Sequence, residues 1–188
     1  MSKLKKIILA GLLLAATIVF NRFMSVKTPI IVISFSYIPI MLSGILLGPW
    51  LTMLVSGLAD LVGALLFPFG AYFVGYTISA LLSGLIYGLF LHRKKEISNK
   101  KFILMLILSS LIVLIVCNGV LNTLWIYITT KKAVMAILPT RVLKQLIMLP
   151  IQVVSMFFID LGLRKMKAYD SLFAKEENSD DTDDEPEL

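Results

Sequence analysis

The chain has 188 residues, of which 58% are hydrophobic and 16% charged, and the charges gather between long apolar runs instead of alternating within them. This excludes a water-soluble domain, whose helices would carry an apolar stripe and a polar face, and defines a polytopic membrane protein. The net charge of +6 conceals an asymmetry: nine acidic residues and one lysine lie from Asp170 onward, leaving 17 basic and 3 acidic side chains before it. Lys and Arg at the ends of apolar spans orient a membrane protein and touch lipid headgroups, so the basic bias does not call for nucleic acid.

Residues 4 to 20 form the first span, introduced by Lys3, Lys5 and Lys6. No small-residue cleavage site follows it and more spans come after, so it reads as a helix and not as a cleaved signal. Ala10, Gly11 and Ala15 place small side chains one turn apart, which lets another helix approach closely, either inside the bundle or on a partner. Residues 21 to 39, NRFMSVKTPIIVISFSYIP, are rich in β-branched residues and predict an extended, partly inserted segment. Pro39 suits a first helical turn, but the distance from there to Gly48 is only about 15 Å at ~1.5 Å per residue. The second span is therefore short, or borrows the segment before it.

Gly48-Pro49-Trp50 turns the chain into a third span, residues 51 to 67, with Asp60 near its middle. An acid there serves either a helix-helix contact or a ligand. After Phe67-Pro68-Phe69-Gly70, residues 71 to 91 form a fourth span in which Ala80, Gly84 and Gly88 make a packing face. Tyr72 and Tyr76, one turn apart, are either interfacial aromatics or a stacking wall. The lone His92 has no companion at ligand spacing, and Cys117 reads as a small buried hydrophobe. Residues 102 to 126 make the fifth span and 139 to 163 the sixth, with Asp160 and Arg164 spaced for a helical ion pair.

The stretch 118 to 144, NGVLNTLWIYITTKKAVMAILPTRVLK, breaks this apolar pattern. A charge at the bilayer centre costs roughly 2.5 to 3.5 kcal/mol on insertion scales, so intramembrane polar groups usually face a cavity. Arg141 follows Leu-Pro into a span, and Lys144 and Gln145 continue the polar line one turn later. Lys131 and Lys132 read as headgroup anchors.

The expected fold is therefore an all-α integral membrane protein of six transmembrane helices, with a partly inserted extended loop between helices 1 and 2. Six spans put both termini on one side, and the basic clusters there make it cytoplasmic. Residues 1–169 form the membrane domain, and 170–188 an acidic tail too polar to fold alone. This topology brings Arg22 and Lys27, the Tyr72 end of span four, the Asn122 to Trp125 region and Arg141 to the outer face, an inventory suited to a planar, anionic, hydrogen-bonding small molecule, unless Arg22 and Lys27 merely snorkel to the headgroups. No P-loop, nucleophile elbow, HExxH or pair of nearby intramembrane carboxylates is present, so the chain offers little to an enzyme and cannot hydrolyse ATP by a P-loop mechanism. It reads as a binder that needs a partner.

The segments RFMSVKTP (22 to 29), FSYIP, LLGPW, the block from Gly57 to Leu91, NTLWIY and LPTRVLKQ resemble the substrate-binding S component of energy-coupling factor (ECF) vitamin transporters, in particular the folate-specific member. The match runs over roughly residues 5 to 165. The resemblance implies a high-affinity folate-binding subunit of a bacterial plasma membrane, working with a transmembrane coupling protein and two ATPase subunits that hydrolyse ATP. The chain itself would need no cofactor and would topple in the membrane to release its substrate inward. It implies that Ala10, Gly11 and Ala15 meet the coupling protein. For the pocket it implies Arg22 and Arg141 near the glutamate tail, Trp125, Tyr72 and Phe35 stacking on the pterin, and Asn122 at a ring edge. An S component for another vitamin, or a non-transporting membrane scaffold, are the alternative readings.

Overall fold

A computed structural model describes residues 3–27, 32–68, 72–92, 97–130 and 134–165. The chain runs α1 (Lys3–Arg22), β1 (Ser25–Lys27), β2 (Val32–Ser34), α2 (Tyr37–Leu47), α3 (Pro49–Leu66), α4 (Val74–Leu91) and α5 (Asn99–Ile112). A π-helical segment (Val113–Leu121) then continues α5 into α6 (Asn122–Thr130), and α7 (Val134–Arg164) closes the bundle. Among the described residues, five helical stretches are long and apolar enough to cross a membrane: Lys3–Arg22, Pro49–Leu66, Val74–Leu91, Asn99–Thr129 and Val142–Arg164. The eleven-residue α2 is the short span, about 16 Å long at ~1.5 Å per residue. The expected acidic tail at 170–188 and the anchors Lys131 and Lys132 lie outside the described residues.

The extended loop expected after the first helix is a two-stranded antiparallel ribbon, with Ser25 opposite Ser34 and Lys27 opposite Val32. It is pinned to α1 where Ser34 Oγ donates to the Phe20 carbonyl at 3.3 Å, and the Ser36 N–H in turn donates to Ser34 Oγ at 3.2 Å. These bonds hold the start of α2 beside the end of α1. Ser36 thus opens α2 at the level of Arg22.

Helices α3 and α4 form the most extensive packing in the molecule, and α1 and α2 lie against them. Gly84 and Gly88 create the close approach: a methyl at Gly84 would fall 2.6 Å from the Thr52 carbonyl oxygen, and one at Gly88 would run into Pro49. Ala80, the third member of the stripe, instead faces an internal cavity. Gly48 turns α2 into α3 with φ of 84°, a conformation that costs a side chain bearing Cβ dearly. Beneath the cavity, Met41, Ile45, Tyr87, Leu91, Phe102, Leu106 and Met156 form a dry core shared by α2, α4, α5 and α7.

At the end of the bundle that carries His92, Asp160 is 1% exposed and accepts from Arg164 Nε at 2.8 Å, the ion pair expected from the spacing. Arg164 Nη1 also donates to the Ile97 carbonyl at 3.0 Å, and its guanidinium lies 5.7 Å from the Phe102 ring centroid. This clasp ties the end of α7 to the start of α5. Pro139 and Pro150 sit inside α7, which begins before the span expected at 139. Prolines are tolerated in membrane helices because neighbouring groups re-satisfy the freed carbonyls.

Candidate functional site

A cavity of about 470 Å³ opens between the ends of α1 and α2, α3, α4, the π-helical segment and α7. Its size is that of a small-molecule site. Asn21 and Arg22 come from α1, Ser34 and Ser36 from the ribbon and its exit, and Asp60 from α3. From α4 the residues Tyr76, Ser79, Ala80, Ser83 and Tyr87 face inward at three- and four-residue spacing, one helical face. From α7 come Lys144, Gln145, Met148 and Gln152. Hydroxyls and amides dominate, flanked by two cations, one carboxylate and three tyrosines, counting Tyr37.

The π-helical segment builds the remaining wall. Its hydrogen bonds run five residues back, as where the Asn122 N–H reaches the Cys117 carbonyl. Val113 and Asn118, and likewise Cys117 and Asn122, therefore stack in pairs, and all four line the cavity. Asn122 Nδ2 donates to Asn118 Oδ1 at 3.1 Å, while Asn122 Oδ1 is buried with no hydrogen-bond partner among the described residues. A buried carbonyl oxygen without a donor costs roughly 1 to 3 kcal/mol, which a bound donor would recover.

Of the six residues that the resemblance assigned to the pocket, Arg22 and Asn122 line this cavity, as do Asp60, Tyr76, Lys144 and Gln145, which the sequence singled out without a fixed role. Arg22 Nη1 donates to the Phe67 carbonyl at 3.1 Å, bracing the end of α1 against the end of α3. Trp125, Tyr72 and Phe35 are not among the lining residues. Trp125 Nε1 donates to Ser79 Oγ at 2.9 Å, and its ring packs 5.6 Å from that of Phe73. The Tyr72 hydroxyl is 2.8 Å from Thr77 Oγ1, which donates to Asp60 Oδ2 at 2.8 Å. A threonine hydroxyl has one proton, so with that proton on Asp60 the bond from Tyr72 must be a donated one. Phe35 is half exposed, its ring 6.2 Å from Tyr37, whose hydroxyl bonds Ser155 of α7. Arg141 lies on α7 one turn before Lys144; its side chain is outside the described residues.

Sequence reasoning missed Asn118, Ser79, Ser83 and Gln152 as lining residues. The signal for the α4 residues was present as polar and aromatic groups recurring every three to four positions from Tyr76 to Tyr87. On the outer surface of α1, Gly11 and Ala15 are exposed, with nothing within 4 Å of a methyl placed on Gly11. Ala10 is half-buried and packs against Leu13, Leu47 and Val55. Among the described residues, no group of three or more His, Cys, Asp or Glu side chains is disposed to hold a metal.

A membrane bundle with a polar pocket at one end is built to hold a small polar molecule. The family model for the S component of ECF-type riboflavin transporters matches residues 1–165, and the chain belongs to this family of S components, which are parts of multi-pass membrane transporters and not enzymes. It is 39% identical to the folate transporter FolT of Clostridium novyi (strain NT) over 157 residues, covering 84% of this chain and 88% of that one. It is 31% identical to the folate transporter FolT of Leuconostoc mesenteroides over 160 residues, 82% of this chain and 84% of the relative. A crystal structure of FolT bound with folic acid superposes with a TM-score of 0.71 at 37% identity, covering 81% of this chain and 89% of the other.

Proposed function

We propose that this chain captures folate in the cavity between Arg22 and Lys144 and delivers it across the plasma membrane as the S component of an ECF importer. The observation that carries the reading is the likeness, in fold and at 37% identity, to a chain solved with folic acid. A polar cavity of about 470 Å³, with donors and acceptors on every wall, is suited to a molecule with a heterocycle at one end and carboxylates at the other. Asn122 is assigned to an edge of the ring, where its buried oxygen would meet a donor. Lys144, with Arg141 one turn away, is assigned to the acidic tail. Trp125 and Tyr72 shape the pocket from behind its lining.

The basic ends at Lys3 to Lys6 and at Arg164 to Lys165 support an orientation with both ends of the bundle on the cytoplasmic side and the cavity mouth outside. Release inward then requires the coupling protein and two ATP-hydrolysing subunits of the ECF module. The exposed Gly11 and Ala15 face of α1 is where the coupling protein would dock. The family model's own description favours a second ligand, riboflavin. One experiment separates the two: release whatever co-purifies with the detergent-solubilised chain and identify it by absorbance and mass. A stoichiometric pteridine without visible absorption supports folate, a yellow flavin overturns it, and an empty protein that binds neither vitamin on titration defeats both.

A further inference from the structure

Asp60 is the one acidic side chain among the residues lining the cavity, and the assignments above leave it without a task. Its surroundings are specific. The Arg22 guanidinium lies over Gly63, one turn further along α3: a methyl built on Gly63 would fall 2.9 Å from Arg22 Nε and 3.3 Å from Nη2. Donation to the Phe67 carbonyl fixes the direction of that fork, and Arg22 and Asp60 both line the cavity. From the other side, Thr77 holds Asp60 Oδ2 and is itself held by Tyr72.

An ion pair that merely ties helices together looks different in this molecule. Asp160 is 1% exposed and closed off by Arg164 at 2.8 Å. Asp60 is only half-buried, and the space it looks into is the cavity. A guanidinium fork beside an acceptor-only carboxylate complements an edge that presents a carbonyl oxygen, then a ring N–H, then an exocyclic amine. A carboxylate tail has only acceptors to offer, and Asp60 would repel it.

Resting on the folate reading, we propose that Arg22 and Asp60 together read the 2-amino-4-oxo edge of the pteridine ring. Arg22 takes the 4-oxo oxygen, and Asp60 takes N3–H and the 2-amino group. Thr77 and Tyr72 are positioning residues that aim the carboxylate. The ring thus seats against α1 and α3, and the acidic tail runs to the α7 wall. This separates folate from flavins on one chemical difference. A flavin carries an oxo group where the pteridine carries its amine, and that oxygen would face the Asp60 carboxylate.

The test compares folic acid with its 2-desamino analogue, titrated calorimetrically into the purified full-length chain and into Asp60→Ala. The wild-type chain should bind the 2-desamino compound more than about tenfold more weakly, as expected for losing a hydrogen bond to a charged group. In Asp60→Ala, folic acid should weaken by a comparable factor and the two ligands should become nearly equal. Equal binding of both ligands to the wild-type chain, a result that needs no variant, would overturn the assignment while leaving folate as the substrate. Undiminished discrimination in Asp60→Ala would also overturn it. A wild-type chain that binds no folic acid defeats the folate reading and this assignment with it.

Discussion

Trp125 donates its indole N–H to Ser79 across 2.9 Å, joining α6 to the middle of α4. Ser79 itself lines the cavity, so the bond fixes the position of a wall from behind. Replacing Trp125 with Phe keeps an aromatic ring against Phe73 but removes the donor. A neutral hydrogen bond is worth about 1 kcal/mol, so folate affinity should fall roughly fivefold. Calorimetric titration measures this, and unchanged affinity would show that the α4 wall holds its place without Trp125.

Arg141 precedes Lys144 by three residues and Gln145 by four, the spacing of one helical face, and Lys144 and Gln145 line the cavity. Truncating Arg141 to Ala should weaken folate binding more than about tenfold, the loss expected for a charge-assisted contact to a carboxylate. Pteroic acid, which lacks the glutamate, should be affected far less. Equal losses for both ligands would remove Arg141 from the tail.

On α1, Ala15 is exposed beside Gly11, whose surface is open. A Trp at position 15 would stand out from the surface where a coupling helix needs close approach. Co-purification with the coupling protein should be abolished while folate binding by the isolated chain is unchanged. Normal assembly would place the docking surface elsewhere.

The Asp160–Arg164 clasp lies at the far end of the bundle from the cavity. Asp160→Ala strands the Arg164 guanidinium, which is 14% exposed; breaking one side of a buried pair costs about 3 to 5 kcal/mol. The midpoint of thermal unfolding in detergent should drop markedly, and folate affinity of the folded protein should not change. Replacing both residues with apolar ones should recover much of the loss.

Much of this fold was legible in the chain because hydrocarbon imposes a simple rule: apolar runs of span length, interrupted by Gly-Pro turns, must be helices. The short second helix was one of the two readings that Pro39 and Gly48 allowed, and the terminal clasp followed from the four-residue spacing of Asp160 and Arg164. The site was less legible because neighbouring aromatics divide their work by direction, which composition does not reveal. Tyr76 faces the cavity, while Tyr72, one turn earlier, bonds Thr77 behind it. Trp125, for which the resemblance implied stacking, bonds Ser79 from behind the lining. The Arg22–Asp60 juxtaposition joins residues 38 positions apart and depends on the bare backbone at Gly63, which no local pattern announces.

The nine π-helical residues between Val113 and Leu121 also set a phase. Relative to a uniform α-helix, the wider turns act as extra residues inserted into the span, and everything beyond them is rotated by about 100° per residue. With that offset, Asn122 lines the cavity and Trp125 meets α4 at Ser79. Deleting a single residue here would leave an unbroken helix, still long and apolar enough to cross the membrane, whose polar face had turned away from the ligand. The transmembrane span and its recognition face are thus separable properties of one continuous helix, and the second depends on counting residues.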